Sequence, residues 1–235
     1  MKIRVNKSVN FSKKTRSLKD IRYLIIHYSG MQSARVSMKR LKNPSSKVSC
    51  HYFVNRNGDI YKMVDDNKIA WHAGKSRWKN VRNLNKYSIG IEIQNKGHNI
   101  NYQSFSTKQI SSLIILIKSL LKKYKIKKYN VLGHSDIAPL RKRDPGEKFP
   151  WNFLSSKGVA IWYPKFKLKK EEIKSKTKRR IFFKNVHKIG YRFFNLSQKS
   201  KRDRKIIMAF QRRFLPKEVN GKITDKTLKI SQLLA

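Results

Sequence analysis

Ser106-Thr-Lys-Gln-Ile-Ser-Ser-Leu-Ile-Ile-Leu-Ile-Lys-Ser-Leu-Leu121, followed a few residues later by Tyr129-Asn-Val-Leu132, decides the fold class. Ile110, Leu113, Ile114, Ile117, Leu120 and Leu121 recur at the spacing that lines one face of a helix. Ser106 and Gln109 form an S-x-x-Q capping box at its start. Tyr129 to Leu132 reads as a strand running into a polar loop from Gly133 to Pro150. Working outward, Tyr23-Leu-Ile-Ile-His27 is a continuous apolar run, which suits a strand buried on both faces. His51–Asn55 and Ile60–Val64 flank Asn57-Gly58, a strong hairpin signal. Ile89-Gly-Ile-Glu-Ile93 alternates as a strand does, and Ser33–Leu41 suits a short helix ended by Asn43-Pro44. Long helices mixed with strands predict an α/β fold, a mixed central β-sheet covered by helices.

Four segments are expected. Residues 1–19 are basic, polar and non-periodic and read as an arm. Residues 20–164 carry the α/β pattern. Composition changes after Pro164: from Lys165 to Lys188 eleven basic residues face two acidic ones, and a basic linker is placed at 165–178. Residues 179–235 then show three short helical patterns punctuated by Gly190 and Asn220-Gly221, which predict a small three-helix C-terminal domain.

The 235 residues carry 57 Lys and Arg against 13 Asp and Glu, a formal charge of +44. Such a charge suits a polyanionic partner or environment: nucleic acid, an anionic membrane or an acidic wall polymer. It does not choose among them, and no groove-reading nucleic-acid motif accompanies it. The longest apolar run, Leu113 to Leu121, is broken by Lys118 and Ser119, so no transmembrane segment is expected. No secretory signal is evident at the start, which reads as cytoplasmic, with the periplasm or cell envelope left open. One cysteine, Cys50, excludes a disulfide framework and any CxxC site.

Six histidines are present, and two stand out. His27 and His134 each end a buried-strand candidate, where side chains project into a cleft at the sheet's edge. His134 opens Gly133-His-Ser-Asp-Ile-Ala-Pro-Leu-Arg-Lys-Arg-Asp144-Pro-Gly146. Two imidazoles and one carboxylate, with a fourth position for water, are a common catalytic zinc set. HExxH and the zinc-deaminase pattern are absent.

Five ordered blocks carry a resemblance: Ile25-Ile-His-Tyr28; Ser49-Cys-His-Tyr-Phe-Val54 with Gly58-Asp-Ile-Tyr61; Ala70-Trp-His-Ala-Gly74; Ser88-Ile-Gly-Ile-Glu92; and Gly133–Pro139 with Lys142–Gly146 and Phe149-Pro-Trp151. From about Ser8 to Pro164 the chain resembles the zinc-dependent N-acetylmuramoyl-L-alanine amidases of the type-2 class, related to the peptidoglycan recognition proteins. The resemblance implies His27, His134 and Asp144 as ligands of Zn2+, with Glu92 and Lys142 as catalytic partners. It implies hydrolysis of the amide joining N-acetylmuramic acid to L-alanine in peptidoglycan or muropeptides. Trp71, His72 and Ala73 are expected along the substrate groove, with a packed core role equally open for Trp71. His51 is expected to be structural, Asp136 a loop hydrogen-bonding residue, and His98 and His187 without specific roles. Outside the family blocks, Glu92 would read as an edge-strand charge and Lys142 as a solvated cation. The tail resembles the three-helix peptidoglycan-binding module of wall hydrolases, on Ile189-Gly-Tyr191, Ala209–Phe214 and Asn220–Thr227. A monomer acting on peptidoglycan or muropeptide, with no specific nucleic acid, is the expectation; the rival is a non-catalytic peptidoglycan-binding protein.

Overall fold

The computed structural model describes residues 2–168 and 175–235. In chain order the strands are β1 (Ile3–Val5), β2 (Phe11–Thr15) and β3 (Tyr23–Tyr28), followed by helix α1 (Ala34–Lys42). Next come β4 (Tyr52–Val54), β5 (Ile60–Lys62), β6 (Lys68–Ala70), β7 (Arg77–Trp78), β8 (Val81–Arg82) and β9 (Ser88–Ile93). Helix α2 (Thr107–Tyr124), strand β10 (Val131–Gly133) and helices α3 (His134–Ile137) and α4 (Trp151–Ser156) complete the first part. Helices α5 (Ser175–Ile189), α6 (Asp203–Phe214) and α7 (Asp225–Leu234) follow.

Six strands form one mixed sheet in the order β1-β5-β4-β9-β3-β10. β10, β3, β9 and β4 run parallel, and β5 returns antiparallel to β4 across the predicted Asn57-Gly58 turn. Side chains alternate between the two faces of a strand. Leu24 and Ile26 of β3 join Ile89, Ile91 and Ile93 of β9 on one face, under Ile110, Leu113, Ile117 and Leu120 of α2. Tyr23 and Ile25 point the other way, into a cluster with Phe182, Phe183, Tyr191, Phe210 and Phe214 of the C-terminal helices. Burial on both faces explains the unbroken apolar run of β3. It also means that 179–235, outlined in the sequence as a separate small domain, contributes to the core beneath the sheet.

Residues 2–19 do not form an arm. Ile3 pairs with Ile60 at the sheet's edge, and β2 pairs antiparallel with β6. Arg16 is buried and donates to the carbonyls of Asp66, Lys86 and Ser88. An edge strand paired on one side keeps polar, exposed side chains, so it shows little hydrophobic periodicity. The capping box of α2 forms by half: Ser106 Oγ accepts from the Gln109 amide, but the Gln109 side chain turns inward. Its Nε2 donates to Gln94 O (2.9 Å) and Val54 O (3.3 Å), tying α2 to the ends of β9 and β4. Of the predicted linker 165–178, residues 169–174 lie outside the described residues, and α5 begins at Ser175. Among the described residues no helix is long and apolar enough to cross a membrane.

Candidate active site

The carboxyl ends of the parallel strands β3, β9 and β10 carry the polar cluster, where a crevice forms in such sheets. His27 is the penultimate residue of β3 and the register partner of Glu92 on β9. Period-2 alternation puts both on the face opposite α2, because their neighbours Ile26, Ile91 and Ile93 face that helix. His134 follows β10 directly and opens α3. Asp144 lies ten residues further along the same loop, whose two ends are joined by the Ser135 amide donating to Asp144 O (2.8 Å).

His27 Nδ1, His134 Nδ1 and Asp144 Oδ2 form a nearly equilateral triangle with edges of 2.9, 3.1 and 3.0 Å. All three residues are buried, and among the described residues they form the one cluster of His, Cys, Asp and Glu arranged to hold a metal ion. The edges approach the ~3.3 Å separation of ligands in a tetrahedron with zinc bonds of 2.0–2.1 Å.

The surrounding hydrogen bonds decide the tautomers. Leu84 O can only accept, so the Ser88 hydroxyl donates to it (2.6 Å) and accepts from His72 Nε2–H (3.2 Å). His72 Nδ1 then carries a lone pair and accepts from His27 Nε2–H (3.1 Å), which leaves His27 Nδ1 bare. Independently, His134 Nε2–H donates to Ala73 O (3.1 Å), which makes Nδ1 the nitrogen left for a metal when the ring is neutral. Burial, reinforced by the neighbouring His134, holds the pKa of His27 down to about 4, so its ring is neutral at ordinary pH. With both rings in the neutral form that a metal ligand takes, two nitrogen lone pairs and a carboxylate oxygen converge. That donor set fits a divalent cation, which removes the repulsion of the three atoms.

Glu92 does not sit at an edge: β9 is flanked by β3 and β4. The residue is half-buried, and its Oε2 has no hydrogen-bond partner among the described residues. Burial pushes its pKa up to about 8; the charge of Asp144 adds to the rise, and Lys142 opposes it. Lys142 is half-buried and close enough for its charge to act on both Glu92 and His27.

His72 and Ala73 are not in a groove wall. His72 is 8% exposed and Ala73 fully buried, and both stand behind the imidazoles, hydrogen-bonding the nitrogens that face away from the cluster. His72 can lie there because β9 offers a glycine, Gly90, beneath its ring. Trp71 is half-buried, and its backbone pairs with Ser49. Asp136 points away from the cluster; His51 is buried and accepts from the Gly90 amide. His98, to which the sequence assigns nothing, bridges Tyr28 (2.9 Å) and Glu147 (3.1 Å) and stacks on Tyr102 beside the loop's end. Its position beside residues distant in sequence leaves no local signal.

Residues 17–147 match the family described as N-acetylmuramoyl-L-alanine amidase. The chain is 33% identical over 230 residues to the N-acetylmuramoyl-L-alanine amidase AmiD of Escherichia coli, covering 91% of this chain and 82% of that protein. It is 42% identical over 112 residues to the 1,6-anhydro-N-acetylmuramyl-L-alanine amidase AmpD of Haemophilus influenzae, covering 47% of this chain and 59% of that one. The solved complex of E. coli AmiD with anhydro-N-acetylmuramic acid-L-Ala-D-γ-Glu-L-Lys superposes with a TM-score of 0.81 at 30% identity, over 95% of this chain and 91% of that one. AMPDH3 from Pseudomonas aeruginosa gives 0.80 at 28% identity, over 96% and 95%. A match through the strands that present the cluster, and a shared architecture reaching into the C-terminal helices, lead to one conclusion: this chain belongs to the N-acetylmuramoyl-L-alanine amidase family.

Proposed function

We propose that the protein is a zinc-dependent amidase that hydrolyses the bond between the lactyl group of N-acetylmuramic acid and L-alanine in muropeptides and peptidoglycan. The observation that carries this reading is the buried triangle of His27 Nδ1, His134 Nδ1 and Asp144 Oδ2 with Glu92 beside it on the adjoining strand. The solved complex of the AmiD relative holds an anhydro-muramyl peptide, which supports 1,6-anhydro muropeptides as one substrate form.

His27, His134 and Asp144 would hold the ion, and His72 and Ala73 O would fix the imidazoles by their outer nitrogens. Bound there, zinc supplies Lewis acidity toward the amide carbonyl and lowers the pKa of water. Glu92, in its carboxylate form and shielded by burial, accepts a proton at Oε2 from the attacking water as the water oxygen bonds to the carbonyl carbon. Lys142 Nζ donates to the carbonyl oxygen as negative charge develops on it. Glu92 then returns the proton to the alanine nitrogen as the C–N bond breaks, giving a free carboxyl on the lactyl group and a free peptide amine. Water is consumed and the carboxylate is restored.

The C-terminal helices add a contact to polymeric wall. Lys176, Arg180 and Lys184 are exposed and recur four residues apart on α5, so they line one helical face beside a groove that also includes Lys199 and Lys222. A second weak contact with an extended anionic polymer raises the effective concentration of the cluster near its bonds. Mass spectrometry of a muropeptide digest, with and without a chelator, tests the central assignment. Release of intact stem peptides with a free L-alanine amine, abolished by chelation and restored by zinc, is the expected result. Uncleaved muropeptide in the zinc-loaded digest identifies a binding protein instead.

A further inference from the structure

We infer that α6, together with Tyr191 just beyond α5, is a positioning element for the loop that carries His134 and Asp144. This rests on the metal-site reading above. The loop from Gly133 to Glu147 is gripped at three places from the C-terminal helices. Near its start, Asp136 is buried two residues after His134, and its carboxylate accepts from three donors. The Gly133 amide (2.8 Å) is local, whereas Tyr191 Oη–H (2.6 Å) and Arg213 Nη1 (2.5 Å) come from the C-terminal segment. Arg213 also donates Nη2 to Val131 O (3.0 Å), and its guanidinium lies over the Trp151 ring at 4.2 Å. In mid-loop, Lys205 Nζ donates to Leu140 O (3.0 Å). At the far end, Arg212 approaches Glu147, three residues after Asp144, at 3.9 Å.

The consecutive Arg212 and Arg213 thus reach the two ends of one loop. Both ends bear on the metal-binding triangle through short, fixed stretches: Asp136 lies in the same helical turn as His134, and the Ser135 amide holds Asp144 O. A carboxylate buried at 1% exposure needs a charged partner as well as hydrogen bonds, so loss of the guanidinium leaves Asp136 with two neutral donors and an uncompensated charge. The turn that aims His134 is therefore set by residues up to 77 positions away in sequence. None of these groups hydrogen-bonds a member of the triangle; they act through the loop, as the partners that orient metal ligands do.

The test compares full-length variants. Arg213→Met cuts the grip on Asp136, while Ile230→Ala removes buried apolar volume on α7, which supplies none of the loop contacts named above, as a control for destabilisation alone. Zinc affinity is measured by chelator competition and loop order by hydrogen exchange of residues 133–147 in the metal-free proteins. Arg213→Met should weaken zinc binding about 10–100-fold, the usual scale for lost outer partners. It should also raise loop exchange, whereas Ile230→Ala should leave both near the parent values despite its lowered melting temperature. Tyr191→Phe, which keeps the ring and removes only the hydroxyl, should show a smaller change in the same direction and decides the matter if Arg213→Met does not fold. Zinc affinity and loop exchange in both loop variants no different from the Ile230→Ala control would overturn the inference while leaving the amidase reading intact. Failure of the parent protein itself to bind zinc overturns the metal assignment, and this inference with it.

Discussion

A Cβ on Gly90 would lie 2.4 Å from Cγ of His72: the imidazole fills the space that any other residue at this point of β9 would need. The ring cannot swing aside, because His27 and Ser88 hold it at opposite nitrogens. Gly90→Ala should therefore cost about 1–3 kcal/mol of stability as an overpacked core substitution. It should weaken zinc binding as well, since the outer partner of His27 is displaced. Urea unfolding and zinc titration measure the two effects; parental values in both would mean that His72 has no fixed place.

His134→Ala removes one of the three groups of the proposed metal site and the hydrogen bond to Ala73 O. The purified parent should carry about one zinc per chain, and this variant close to none, with activity lost in parallel. Metal analysis of the two proteins, purified side by side, checks it. Zinc retained at the parental level would exclude His134 from the metal site.

Glu92→Gln preserves the shape of the side chain and removes its ability to take a proton. Zinc content should be unchanged, and kcat should fall on the order of 10²-fold or more, the scale of a general base. Steady-state cleavage of a soluble muropeptide reads the loss. Normal turnover by this variant would leave Glu92 a structural role only.

Asp66 gives the fold a pH dependence of its own. Burial opposes its ionisation, yet hydrogen bonds from Tyr124 and Tyr52 and the charges of Lys62 and Lys123 hold its pKa below the ordinary carboxylate value. A carboxyl depressed in the folded state contributes stability that is full above its unfolded pKa, about 3.9. That contribution is lost as pH falls through the folded value. Asp66→Asn should be less stable than the parent by about 1–3 kcal/mol at pH 7. The gap should close as the pH is lowered below about 4. Urea midpoints across that range decide it, and a gap independent of pH would mean that the carboxylate charge is not what stabilises.

The basic face of α5 is separable from the metal site. Arg180→Glu with Lys184→Glu should reduce sacculus binding much more than turnover of soluble muropeptide, and raised salt should shrink the difference by screening. Pull-down with insoluble sacculi at two ionic strengths reads the effect. Undiminished binding would move the wall contact elsewhere on the molecule.

What the sequence made legible follows from how local each signal is. The apolar run 23–27 and the alternation 89–93 are short-range patterns, and they place His27 and Glu92 at one end of one sheet. The α2 stripe is equally local. His72 was misplaced because its direction depends on a missing Cβ at position 90, on another strand. Strand β1 was missed because Val5 is 68% exposed and the strand has a neighbour on one side only. The Arg213–Asp136 pair spans 77 positions, and a contact of that range leaves no periodicity to read.

That long span also imposes an order in time. β3, β9, α2 and β10 are complete, and the sheet can close over α2, before Arg213 has been added to the growing chain. Contacts between distant segments form late, because the intervening loop must close first. Between those moments the chain possesses both histidines and the carboxylate but lacks the far helix that steadies them. The residues that bind and those that steady them are thus made at opposite ends of synthesis, and the site is complete only when the last third of the chain has been added.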